Sequence, residues 1–176
     1  MDQLIDDMRT LLNVSRQDVR NEEIDLSFSA ETILAELRRR EPRRNVAISI
    51  SPDLKVRGDP HLIHIALSNL LGNAWKYSAK TPDARIEFGA VEIDGKKVFV
   101  VRDNGAGFNM DHADRLFEPF RRLHSDSEFP GTGIGLAIVK RVVEKHGGLV
   151  WGRGEPGKGA AFHFALSIDK KNAPED

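Results

Sequence analysis

The sequence predicts a single α/β domain, and three observations carry that expectation. Short stretches alternate apolar with polar residues, helical-period stretches are interleaved with them, and the apolar content is high enough to enclose a core. The chain has 176 residues, 40% of them hydrophobic, which suits one domain of ordinary size. Its 26 basic and 27 acidic residues leave a formal charge of -1, so no global field recruits nucleic acid or an anionic membrane. It has no cysteine, which excludes disulfides and thiolate zinc sites and fits a reducing cytosol. No apolar run reaches the roughly 18 residues of a membrane span, and the N-terminus lacks a signal-peptide core.

Taken in order, Leu4, Met8, Leu11 and Leu12 keep helical spacing over Met1 to Val19, which predicts an amphipathic helix. A polar break over 19–23 follows. Ile24, Leu26 and Phe28 then alternate with Asp25 and Ser27 in the manner of a short strand. Ser29 is placed to cap a helix running to about Arg40, with Ile33, Leu34 and Leu37 on its inner face. The basic cluster from Arg38 to Arg44 reads as the solvated end of that helix, stopped by Pro42. Val46 to Ile50 alternates as a second strand, and Leu54 to Val56 gives a short third before Gly58. Asp59 and Pro60 have the chemistry of an N-cap and a first helical position, so a long helix opens there.

After a turn at Thr81 to Asp83, the strands Ile86 to Ile93 and Lys97 to Asp103 are joined by Asp94-Gly95, a strong hairpin signal. Val98 to Val101 is apolar on both faces, as expected of a central strand. Met110 to Phe117 has a helical pattern. Leu136, Ile138, Val139, Val142 and Val143 carry a further helix to a stop at Gly147. Leu149 to Gly152 and Ala160 to Ile168 read as strands around a hairpin turn. His61, His64, His112, His146 and His163 all read as surface residues.

The long helix carries the least ordinary pattern. Ile63, Leu67, Leu70, Leu71 and Ala74 share its apolar arc, with His61, His64, Ser68 and Gly72 roughly opposite. Asn69, Asn73 and Lys76 stack at i, i+4 and i+7 along the rim. A single Asn on a helix is usually a solvated surface residue. Two carboxamides and an ammonium in a row, however, offer neutral oxygens for a hard cation and a positive charge for phosphate.

Two glycine-rich stretches add to this. The central strand runs into Asp103, Asn104, Gly105, Ala106, Gly107 and Phe108; an Asn-Gly turn is the plain reading, but no strand follows, and the second glycine suggests a close backbone approach. A carboxylate at that strand end can accept the exocyclic amine of adenine. Gly131 to Leu136, GTGIGL, opens a helix whose bare amides and positive dipole end suit phosphate. A dinucleotide fingerprint would need glycine where Leu136 stands. Between the two lies LFEPFRRLHSDSEFPG, a charged, Ser-rich stretch of the kind that forms lids.

The N-x-x-x-N-A-x-K-Y-S pattern of Asn69 to Ser78 resembles the N box of sensor histidine kinases. DNGAGF resembles their first glycine box, LFEPFRR their F box, and GTGIGL completes four boxes in the family's order. LIDDMRTLLNVSR resembles the end of the second helix in their dimerisation and phosphoacceptor hairpin. The resemblance is to the ATP-binding catalytic domain in the GHKL superfamily, and it implies a two-layer α/β sandwich, a mixed sheet with helices packed on one face. It divides the chain into a helix remnant at 1–20, the catalytic domain at 21–168 and a tail at 169–176.

The resemblance also implies ATP and Mg2+ as cofactors. Asn73 then ligates the metal with Asn69 in support, Lys76 contacts phosphate and Tyr77 covers the adenine ring. Asp103, Gly105 and Gly107 receive the base; Gly131, Thr132, Gly133, Gly135 and Leu136 hold the phosphates. Arg122, or its neighbour Arg121, approaches the terminal phosphate. The implied partners are the phosphoacceptor hairpin of the same protein and the receiver domain of a response regulator, with no nucleic acid. The expected full-length protein is a cytoplasmic homodimer, with membrane anchoring of a longer chain left open, and the fragment is monomeric or weakly dimeric. None of the six histidines begins an H-E/D-x-x-x-P acceptor motif.

Two other readings compete. A GHKL ATPase machine of chaperone or topoisomerase type would carry Glu at the position of Asn69 to activate water. An interaction module without nucleotide binding is disfavoured by the polar residues retained in every box.

Overall fold

The computed structural model describes residues 2–166, so the expected tail at 169–176 lies outside the described residues. The elements run α1 (Asp2–Arg16), β1 (Glu22–Asp25), α2 (Leu26–Arg40), β2 (Ala47–Ile50), β3 (Lys55–Gly58), α3 (Pro60–Tyr77), β4 (Arg85–Ile93) and β5 (Lys96–Asp103). A 3-10 turn (Met110–Arg115), α4 (Gly135–Lys145), β6 (Leu149–Glu155) and β7 (Gly159–Ala165) complete the chain. β2, β4, β5, β7 and β6 form one sheet in that order. β2 pairs parallel with β4 and the other pairs are antiparallel. β1 and β3 form a separate two-stranded ribbon.

The central position of β5 explains its composition. Phe99 and Val101 point into the helical layer, and Val98 and Val100 point the other way, yet all four are buried. The β4–β5 turn has positive φ at Asp94 and Gly95, the geometry that matches hairpin twist. On the helical side, α3 lies against both α2 and α4. Asp59 caps α3 by accepting from His61 N and Leu62 N at 3.0 and 3.1 Å, and Pro60 occupies its first turn. Leu62, Ile63, Ala66, Leu67, Leu70, Leu71, Ala74 and Trp75 face the core.

Several sequence expectations are corrected. The alternation at Ile24, Leu26 and Phe28 is not one strand, because β1 ends at Asp25 and α2 begins at Leu26. Asp25, not Ser29, is the cap: its carboxylate accepts from Phe28 N at 3.0 Å, while Ser29 Oγ donates back to Asp25 O. A strand would have put all three apolar residues on one face; the helix buries Leu26 and Ala30 and leaves Phe28 exposed. The helical pattern at Met110 to Phe117 forms a 3-10 turn ending at Arg115. On α1 the expected apolar stripe splits. Val14 is buried, Leu4 and Leu11 pack partly against the core, and Met8 and Leu12 are exposed.

The basic cluster is not merely a solvated helix end. Arg44 donates to Trp75 O at 2.6 Å and Ser78 Oγ at 3.2 Å, and its guanidinium lies 4.5 Å over the Trp75 ring. Arg38 donates to Val46 O, and Trp75 Nε1 donates to Glu41 Oε1. The bonds of Arg44 and Glu41 pin the last turn of α3, the turn that carries Lys76 and Tyr77.

His146 and His163 are buried rather than on the surface. With its proton on Nδ1, His146 donates to Val142 O at 2.7 Å and accepts Asp59 N–H on Nε2 at 3.0 Å. Burial pushes its pKa down, consistent with a neutral ring joining the end of α4 to the start of α3. Among the described residues, no helix is long and apolar enough to cross a membrane.

Candidate nucleotide pocket

A cavity of about 200 Å3 lies where α3, the loop before α4 and the N-terminal helix meet. Its walls gather Asn69, Asn73, Lys76 and Tyr77 from the rim of α3, and Gly131, Thr132, Gly133, Gly135 and Leu136 from the glycine loop. Two glycines explain how these elements come so close. A β-carbon at Gly131 would sit 2.9 Å from Lys76 Nζ, and one at Gly135 would sit 2.8 Å from Asn69 Oδ1. The α3 side chains reach the loop because it has no side chains at those positions.

The polar groups of the pocket suit an anion and a hard cation. Asn69 donates from Nδ2 to Ile65 O at 2.9 Å, which leaves Oδ1 as an acceptor beside Gly135. The carboxamide of Asn73 makes no hydrogen bond to another described residue. The N-terminus of α4 has no side-chain cap, so its first amides are free to donate to phosphate. Burial pushes the pKa of Lys76 down, the nearby Arg122 charge adds to this, and Asp7 opposes it. No group of three or more His, Cys, Asp or Glu among the described residues could hold a metal. Neutral carboxamide oxygens completed by phosphate oxygens fit Mg2+, which is rarely bound by all-protein cages.

Asp103, Gly105, Gly107 and Arg122 stand outside this cavity. Asp103 ends β5 and accepts Gly105 N–H at 2.9 Å; burial pushes its carboxyl up to about 6, against the pull of the Gly105 and Ala160 amides. Its charge is felt at the Tyr77 hydroxyl, so Asp103 faces the tyrosine. The close backbone approach expected at the glycines is to the chain itself. A β-carbon at Gly105 would lie 2.3 Å from Tyr77 O, and one at Gly107, where φ is +65, 2.0 Å from Glu155 O. They seat the strand end against α3 and the β6–β7 turn.

The loop between the boxes packs on Tyr77 and reaches the backbone of Gly107. The rings of His124 and Phe129 pack on Tyr77, with centroids 5.2 and 5.1 Å away, and His124 Nε2 is 2.9 Å from Gly107 O. Arg122 is turned into the loop, paired with Asp126 and donating to Phe129 O, while Arg121 lines the cavity. In this state the cavity beside Lys76 is open, and Tyr77 is covered by the protein's own aromatics.

Sequence reasoning missed the contribution of α1. Gln3 and Asp7 line the cavity, and Asp7 Oδ2 accepts from Thr132 Oγ1 at 2.5 Å. No local signal marks Asp7, since its role depends on how α1 docks. The aromatic plug was more legible, because a histidine and a phenylalanine in an otherwise polar loop need a partner surface.

Comparison with known proteins agrees with this construction. Residues 58–170 match the sequence pattern of the "Histidine kinase-, DNA gyrase B-, and HSP90-like ATPase" family. The chain is 32% identical to cyanobacterial phytochrome A of Nostoc sp. over 96% of its own length, and spans 22% of that relative. It superposes on the structure of the mycobacterial sensor histidine kinase MprB with a TM-score of 0.69 and 32% identity, covering 84% of this chain and 97% of that one. For full-length ShkA in complex with AMPPNP the TM-score is 0.74 and the identity 28%, covering 93% of this chain and 36% of that one.

Proposed function

Because the chain belongs to the histidine kinase-, DNA gyrase B- and HSP90-like ATPase family and is built as the catalytic domain of a sensor histidine kinase is, we propose that it positions Mg-ATP for transfer of the γ-phosphoryl group to a histidine. The observation that carries this reading is the convergence of Lys76, Asn69, Asn73 and the uncapped start of α4 on one cavity. Phosphoryl transfer asks the protein for placement and charge neutralisation more than for covalent help. Lys76 and the amides of Gly133 to Leu136 neutralise the phosphates. Asn73, supported by Asn69, would hold the metal, which would supply positive charge at the phosphate oxygens.

At the other end Asp103 accepts the adenine amine and Tyr77 covers the ring, once His124 and Phe129 have moved aside. Arg121 already faces the phosphate end, and Arg122 reaches it only when the loop releases its bonds to Asp126 and Phe129. The acceptor imidazole comes from a helical hairpin of which α1 is the end of the second helix, and the phosphoryl group passes on to an aspartate of a receiver domain. A hydrolysing ATPase would need a general base at Asn69, and a carboxamide cannot serve as one.

A fluorescent ATP analogue, titrated with and without Mg2+, tests binding. Incubated alone with Mg-ATP, the chain should bind nucleotide without labelling its own histidines, and an added hairpin carrying an acceptor histidine should become labelled. Acid-labile phosphate on the chain itself, at His124 or elsewhere, would overturn this assignment.

A further inference from the structure

The sheet face turned away from the helices carries a second, unassigned cluster of polar groups. Strand register places Glu87, Arg102, Ala161 and Arg153 in one row across β4, β5, β7 and β6, and Gly89, Val100, His163 and Trp151 in the next. Neighbouring strands lie about 4.8 Å apart, so the two arginine backbones stand about 10 Å apart with only the methyl group of Ala161 between them. Two cationic side chains thus wall a notch with a small floor. His163 closes one end, two residues from Ala161 on the same face of β7.

The groups around the notch lack partners. Neither guanidinium makes a hydrogen bond or ion pair with another described residue, although Glu87 lies directly across from Arg102. His163 is 8% exposed, and its Nδ1 has no hydrogen-bond partner. Its pKa is pushed down by burial and then by the charges of Arg102 and Arg153, which places both guanidinium groups near the ring. Trp151 stacks on the imidazole with centroids 5.2 Å apart and planes 1° from parallel. The buried nitrogen carries the cost of an unmade hydrogen bond, and a carboxylate held between the two exposed guanidinium groups would supply its partner.

Beside Arg102 runs a groove of about 320 Å3 over Gly89, lined by Ser49, Ser51, Glu87, Val91, Val100 and Arg102, so a segment laid along it carries its acidic residue at the notch and neutral residues opposite Glu87. A free anion would fill the notch and leave the groove empty, whereas an extended chain fills both. The geometry points to a docking site for an acidic segment of a partner protein, with one carboxylate held between Arg102 and Arg153 over Ala161 and the adjoining residues laid along Gly89 and Val100. This site is separate from the nucleotide pocket and does not depend on the function proposed for it.

The test uses the whole chain and an N-acetylated Glu-Asp-Glu-Asp peptide, followed by NMR of the Trp151 indole and His163 ring signals. Saturable shifts should appear, and the His163 titration midpoint should rise because a bound carboxylate favours the charged ring. Arg102→Gln and Arg153→Gln should each weaken the peptide about tenfold, the scale of one charge-assisted pair, and leave ATP-analogue binding unchanged. Unmoved signals would overturn the proposal, as would equal binding of a Gln-Asn-Gln-Asn control. Inorganic phosphate binding as tightly as the peptide would overturn the assignment to a protein segment.

Discussion

Replacing Asp103 by Asn should make the protein more stable and a poorer ATP binder at once. Burial holds this carboxyl at about 6 instead of 3.8, and at 1.36 kcal/mol per pKa unit the ionised form costs the fold up to about 3 kcal/mol at neutral pH. Because the folded pKa is raised, the stability linked to this group is fully present below the unfolded value near 4 and is lost as pH rises through about 6. Asp103→Asn keeps an oxygen for Gly105 N–H and carries no charge. Its gain in urea melts should therefore be largest at pH 7.5 and fade towards pH 4.5. The same substitution removes the carboxylate proposed as acceptor for the adenine amine, which should weaken ATP by about 1.5 to 3 kcal/mol in fluorescence titrations. Affinity of the unmutated chain for ATP should likewise fall as pH drops below about 6, and the variant should lose that dependence. A variant less stable than the parent at pH 7.5 would refute the desolvation argument, and equal affinity of the parent for ATP and GTP would refute the adenine role.

The remaining tests address the phosphate end, the loop and the N-terminal helix. Asn73→Ala should leave the thermal melt nearly intact and abolish most of the Mg2+-dependent part of ATP affinity, since it deletes a neutral ligand. Asp7→Asn should tighten ATP severalfold at low salt, and less at high salt, because it removes a carboxylate from the cavity proposed to receive phosphates; unchanged affinity would mean that α1 does not constrain the pocket. Hydrogen exchange over residues 121–130 should slow with ATP more than with ADP if an arginine of this loop meets the γ-phosphate, and identical exchange in all states would remove that role. Phe129→Ala should speed ATP-analogue association in stopped flow, since the ring must leave Tyr77 before a base can enter.

What was legible in the sequence follows from the range of the forces involved. The rim stripe Asn69, Asn73 and Lys76, the Asp59-Pro60 start of α3, the Asp94-Gly95 hairpin and the centrality of Val98 to Val101 are set by helical or strand period and by turn chemistry over a few residues. Those signals are local, and the structure contains each of them. Ser29 was read as the cap, and the burial of Leu26 as the first residue of α2 moved the helix start back to Asp25. His146 looked like a surface helix end because its partner, Asp59 N–H, lies 87 residues away; Arg44 likewise pairs with Trp75, 31 residues on. Asp7 enters the pocket only through the docking of α1 on α4, and the choice between Arg121 and Arg122 depends on how the loop folds onto Tyr77. The sequence alone determined which side chains of α3 and the glycine loop have the chemistry to meet a nucleotide, because that is chemistry at fixed spacing. Which of them the fold brings to one cavity, and which it keeps covered, was decided by packing between distant segments, where burial and unpaired polar groups set the free energy.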